Sequence, residues 1–201
     1  MESQMNIDPN DIGRKEAYNL FTSVIVPRPI AWVTTLNKDG STNAAPFSFF
    51  MGVTIYPPRL AISVSSRTGG PKDTARNIIR TEEFVVNLVT KPNLEAMNIT
   101  STDYEYGIDE LLQANLSTGE SEKISTPYIK ESPVNMECRL EKIVEIGEPP
   151  NYLIIGEVLL FHVDDAVYSE KVVDPQKLQL IGRMGNPLYS NVNDIFRMER
   201  P

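Results

Sequence analysis

Two long strand-like runs follow one another in the second half of the chain, and they narrow the choice of architecture sharply. From Asn135 to Ile146 apolar and charged side chains alternate, the period of a strand with one buried face. From Tyr152 to Val163 the run is nearly continuously apolar. Gly147 to Asn151, with Pro149 and Pro150, joins them as a hairpin loop. More strands precede this pair. Ile30 to Leu36 is rich in β-branched residues; Pro27 and Pro29 remove ladder donors just before it, so the chain enters at an edge or bulge. Asn37-Lys38-Asp39-Gly40 reads as a hairpin turn whose Asp-Gly tolerates positive φ, and the return strand begins near Ser41. Leu60, Ile62 and Val64 face a core, while Ala61, Ser63 and Ser65 leave room on the other face. Phe84 to Val89 is another strand.

Helical character is confined to short pieces: Ile12 to Leu20, Lys72 to Arg80, Asn93 to Asn98, Asp109 to Gln113 and Asp174 to Gln179. Many strands joined by short turns predict a mainly β chain with added helices, folded as a closed antiparallel barrel. The length suits one domain over residues 1–201. Ser101 to Pro133 breaks the pattern. It is polar, carries Tyr104, Tyr106, Tyr128 and several acids, and reads as a long excursion covering a site or a partner subunit; a plain surface loop is the other reading.

Composition excludes some functions. With 19 basic and 27 acidic residues the formal charge is −8, which argues against a nucleic-acid surface. A phosphate can still bind where local donors converge. The single cysteine, Cys138, allows no internal disulfide and falls on the apolar face of an alternating run, so it reads as a structural thiol in a reducing compartment. No apolar run approaches a membrane span, and the polar N-terminus lacks a signal peptide's apolar core; the expected location is the cytoplasm.

The chemistry concentrates between Arg28 and Asn77. Gly69-Gly70-Pro71 opens a short helix carrying Lys72, Asp73 and Thr74, where backbone N–H groups, a hydroxyl and a cation suit a phosphate. Asp73 is a poor phosphate ligand; it caps the helix or meets ribityl hydroxyls. An ordinary capped helix is the competing reading. The G-x-x-x-x-G-K-[ST] spacing of a P-loop is absent. Ala45-Pro46-Phe47-Ser48 lets a flat ring lie against the backbone. Together these segments suggest a flavin mononucleotide (FMN) site. No G-x-G-x-x-G motif marks a separate nicotinamide domain.

The chain resembles the flavin reductase-like family, whose fold is an FMN-binding split β-barrel. The resemblance rests on Arg28-Pro29-Ile30-Ala31-Trp32-Val33-Thr34-Thr35 and Asn43 to Phe50, then Pro57-Pro58, Ser63-Val64-Ser65, Lys72-Asp73-Thr74 with Asn77, and Glu83 to Asn87. Gly156-Glu157-Val158 with His162, and Gly182-Arg183 with Tyr189, continue it. It implies a homodimer with FMN near the subunit interface, and a partner that is a monooxygenase or an electron-transfer protein. It places Pro46, Phe47 and Ser48 along the flavin ring, and one of Thr34 and Thr35 facing it. Ser63, Ser65 and Ser66 fall near the phosphate and ribityl chain. Arg67 pairs the phosphate or is an exposed loop arginine; Asn77 meets the phosphate or holds the loop. His162 is a candidate hydrogen-bonding residue near the flavin or nicotinamide, against the alternative of a structural histidine. Arg183 and Tyr189 match a flavin-proximal run, but Met184-Gly185-Asn186 replaces its paired glycines. The implied activity is hydride transfer from NAD(P)H to flavin; the alternative is an FMN-bearing electron carrier of the flavoredoxin type that ignores NAD(P)H. Neither chemistry needs a side-chain nucleophile.

Overall fold

The computed structural model describes residues 4–105, 108–192 and 194–199, so Tyr106 lies outside the described residues. The N-terminal half contains α1 (Arg14–Val24), β1 (Ala31–Leu36), β2 (Thr42–Phe47), β3 (Phe50–Ile55), β4 (Pro58–Arg67), β5 (Gly70–Pro71), α2 (Asp73–Thr81), β6 (Glu83–Leu88) and α3 (Leu94–Ile99). Beyond it come α4 (Glu110–Gln113), β7 (Thr118–Gly119), β8 (Tyr128–Ile129), β9 (Val134–Ile146) and β10 (Asn151–Val163). The chain ends with β11 (Tyr168–Ser169), β12 (Val172–Val173), α5 (Pro175–Leu178), β13 (Ile181–Arg183) and β14 (Tyr189–Asn191).

One antiparallel sheet dominates, with hydrogen-bonded neighbours in the order β2-β1-β6-β9-β10-β4-β3 and β5 attached to β4. Its two ends, β2 and β3, are separated along the chain only by Ser48 and Phe49. The sheet must therefore curl until its ends meet at that seam. No ladder joins β2 to β3 among the described residues, and Pro46 near the end of β2 brings no N–H to a further pairing. The expected closed barrel is thus corrected to a curled, half-barrel antiparallel sheet of flavin reductase-like type, mainly β with some helices.

The inner face holds Val33, Ile62, Phe84, Val86 and Ile154, and α2 closes it with Ala75 and Ile78. Each fully buried side chain of this size contributes about 1.5–3 kcal/mol. Gly156 lets the Phe84 ring lie against β10, because a Cβ there would meet the ring at 2.4 Å. A second cluster on the outer face joins Ile30, Trp32 and Ala44 to Met97 of α3, Leu111 of α4 and Ile129 of β8. The 101–133 excursion therefore packs on the sheet rather than hanging free. Trp32 is wholly buried, and its Nε1–H donates to the Thr100 hydroxyl at 2.9 Å.

The turn after β1 forms as expected: Asn37 N–H donates to Ser41 O at 2.8 Å, and Gly40 has φ +89°. α1 begins and ends later than the Ile12 to Leu20 reading. β3 was not foreseen, and Phe49 beside it is 41% exposed and packs edge-to-face on Phe21 at 6.2 Å.

Candidate flavin site at the seam of the sheet

Pro46 sits where three clefts meet. The first, about 260 Å³, is bordered by α1, α3 and the β13–β14 hairpin. The second, also about 260 Å³, lies between β2, the start of α2 and residues 100–104. The third, about 550 Å³, runs along Arg14 and Tyr18 to Ser63 and Ser65 of β4. Phe47 and Lys72 border the second and third, and Ser48 the first and third. The curl of the sheet thus brings Pro46, Phe47 and Ser48 to the centre of one branched groove.

At the second cleft, Lys72 is the N-cap of α2, and no side chain caps the helix amides. The Lys72 ammonium has no ion pair among the described residues. Asp73 does not cap the helix. Its Oδ1 is shared by Arg67 and Arg76, each at 2.8 Å, which neutralises it and fixes Arg67 beside the cleft. Thr74, 2% exposed, accepts from Asn43 Nδ2 at 3.1 Å while bordering the cleft.

Other expected residues sit elsewhere. Thr35 and Asn77 are fully buried in a network that ties α2 to β1. Asn77 Nδ2 donates to Thr35 Oγ1 at 3.1 Å and to Asn37 Oδ1 at 2.8 Å. Thr34 is also buried and donates to Pro127 O at 2.7 Å, holding the excursion down. These three secure the scaffold. Ser66 donates to Pro150 O across the β4–β10 edge. Ser63 is half-buried and Ser65 exposed, both on the third cleft.

His162 borders none of the three clefts. Its Nε2 lies 2.5 Å from Glu137 Oε1, and its ring stacks on Tyr128 with centroids 4.5 Å apart. Glu137 is wholly buried. Burial pushes its carboxyl up, but the amides of Glu122 and Lys123 together with His162 outweigh that and hold it below the usual range. Both residues serve to fasten the excursion to β9 and β10. Cys138 is buried, and burial pushes its thiol far up, which makes it inert.

Two residues at the groove were not among the expected site residues. Glu110 is 9% exposed, borders the second cleft, and accepts the Ala44 N–H at 3.0 Å. Burial raises its carboxyl to about 7; the Glu110 and Ala44 amides oppose this, and Asp109 and Asp73 add to it. Arg28 is 6% exposed at the first cleft. Its Nη1 donates to Thr22 O at 2.6 Å and Ile25 O at 2.5 Å, and its Nη2 to Met184 O at 2.7 Å. Burial lowers its pKa, Tyr18 opposes this, and Arg183 lowers it further. Arg183 borders the same cleft, donates to the Tyr189 hydroxyl and lies 4.5 Å above that ring.

A family model described as a flavin reductase like domain matches residues 23–181. The chain belongs to the flavin reductase-like family. Nitrilotriacetate monooxygenase component B from Bacillus cereus is similar in structure, with a TM-score of 0.96 and 35% identity, over 98% of this chain and 100% of that one. The 2-nitrobenzoate 2-nitroreductase of Pseudomonas fluorescens has a TM-score of 0.89 and 31% identity, over 98% of this chain and 96% of that one. An uncharacterised protein of Halalkalibacterium halodurans is 38% identical over 98% of this chain and 97% of its own.

The groove of this flavin reductase-like protein fits a flavin with an anionic tail. Lys72, with no ion pair among the described residues, stands beside the Arg67–Asp73 pair and the α2 amides that no side chain caps, groups whose chemistry suits an anion. The small residues of β2 beside Pro46 leave its backbone open to a flat ring. No helix among the described residues is long and apolar enough to cross a membrane.

Proposed function

We propose that this protein is an FMN-binding oxidoreductase that passes hydride from NAD(P)H to flavin. The observation that carries the reading is the meeting of three clefts at Pro46, with Lys72 and the open start of α2 at one side. Lys72 and the α2 amides would hold the phosphate. Thr74 and Arg67 would border the ribityl chain, and Pro46, Phe47 and Ser48 would lie along the ring. Bound FMN supplies the hydride-accepting ring, chemistry that no side chain here possesses. The protein contributes position, exclusion of water and electrostatic tuning. The similarity to a monooxygenase component B supports a partner enzyme that consumes the electrons.

The active form is a homodimer in this reading. β3 lies at an end of the sheet path and exposes Met51 at 60%, Val53 at 40% and Ile55 at 95%, and Tyr56 after it is 95% exposed. An apolar edge strand of this kind invites a cover, and a second copy supplies one. The 101–133 excursion borders the second cleft through Thr102, Asp103, Tyr104 and Glu110, and its role is to cover the bound cofactor.

The test is anaerobic. FMN-loaded protein is mixed with NADH or NADPH, and flavin absorbance in the visible is followed. Rapid bleaching supports the reductase. Tight FMN binding without bleaching by either nucleotide overturns hydride transfer and assigns an electron carrier. Failure to bind FMN overturns both.

A further inference from the structure

We propose that the first cleft is a second binding site, which takes the carboxylate of a small organic acid. In a chain of net charge −8, this cleft is bordered by Arg28 and Arg183 and by no aspartate or glutamate. Neither arginine forms an ion pair among the described residues. Arg28 is buried, and its three closest acceptors are neutral backbone carbonyls. A buried cation without a counter-charge is a standing cost to folding, and an anionic ligand would relieve it.

The two arginines divide the work. The carbonyls of Thr22, Ile25 and Met184 occupy the Arg28 fork, so Arg28 supplies field rather than contacts. The Arg183 guanidinium bonds only the Tyr189 hydroxyl among the described residues and keeps donors for a planar, two-point contact, the geometry that suits a carboxylate. Ile30, Met97 and Pro46 add a small apolar patch to a lining that is otherwise mostly polar, with Thr22, Ser48 and Asn98 among it. About 260 Å³ admits a single small ring or short chain and falls below the range usual for drug-sized ligands. Pro46 and Ser48 are shared with the groove assigned to flavin, so the acid would lie beside that ring; this last point alone rests on the flavin reading.

Benzoate is the probe, titrated calorimetrically into protein with and without FMN. Saturable binding is expected in both, with benzamide and benzyl alcohol at least tenfold weaker. Arg183→Met should weaken benzoate at least tenfold, Arg183→Lys less, and Lys72→Ala not at all. Benzoate binding to protein that takes up no FMN would support the site while removing the flavin reading. Equal affinity for benzamide, displacement by inorganic phosphate at lower concentration than benzoate, or competition between benzoate and FMN would each overturn the proposal. Unchanged affinity in a folded Arg183→Met variant would do the same.

Discussion

The Glu110 carboxylate accepts the backbone N–H of Ala44 at 3.0 Å, joining the excursion to the strand that ends at the seam. This places a titratable group from a polar segment inside a cleft bordered by Lys72, Arg67, Asp73, Asp103 and Tyr104. Its pH behaviour follows from the sign of the shift. Burial raises its carboxyl from 4.5 to about 7, so the folded state binds the proton more tightly than the unfolded chain. The stability it contributes is fully present below about 4.5 and is lost as pH rises toward 7, by about 3 kcal/mol. Glu110→Gln keeps an acceptor for Ala44 and removes the titration. Chemical denaturation from pH 4.5 to 8 should show a fall in wild type that the variant lacks, with the variant the more stable above pH 7. Parallel curves would show that Glu110 does not titrate in this window.

Lys72→Ala should weaken FMN about tenfold, the size of one charge-assisted contact, and leave riboflavin affinity unchanged because riboflavin lacks the phosphate. Fluorescence titration with both ligands reads this directly. Equal losses for the two flavins would place Lys72 away from the tail. Thermal unfolding should move little, since Lys72 has no ion pair among the described residues to lose.

His162→Ala should destabilise the fold by about 2 kcal/mol, because it strips one partner from the buried Glu137 carboxylate. FMN affinity and the rate of NAD(P)H-driven reduction should stay within about twofold of wild type, since each tenfold change needs about 1.4 kcal/mol at the site itself. A slowed reduction in a stably folded variant would return His162 to the chemistry.

Gly156→Ala should cost about 1–3 kcal/mol through overpacking, since its Cβ would fall 2.4 Å from Phe84 Cζ. The melting temperature is the readout. Phe84→Leu in the same chain should recover part of the loss by vacating the ring's space, whereas no recovery would locate the strain elsewhere.

Much of the scaffold was readable from local periodicity. β9, β10 and the turn at Asn37 carry their signals within a few residues, so the expected and observed limits differ by little. β3 was hidden because Phe50 to Ile55 faces solvent along much of its length and contains Gly52, so it shows no alternation. The same logic divides the site residues. Lys72, Asp73 and Thr74 were legible as a helix start. For Thr35 and Asn77 the sequence left ligand contact and a structural role open, because a polar side chain in a buried network looks, in sequence, like one reserved for a ligand. Glu110 and Arg28 were not among the expected site residues, because the partners that place them, such as Ala44 and Met184, are distant in sequence.

The two-residue seam fixes the girth of the molecule. Ser48 and Phe49 must bridge the first and last members of the sheet path, so even one inserted residue there would let the wall spring open and draw Pro46 away from all three clefts. Attempts to widen the groove for bulkier ligands should leave this clasp and the Trp32–Thr100 contact intact and trim residues 101–104 instead, where the chain borders the second cleft.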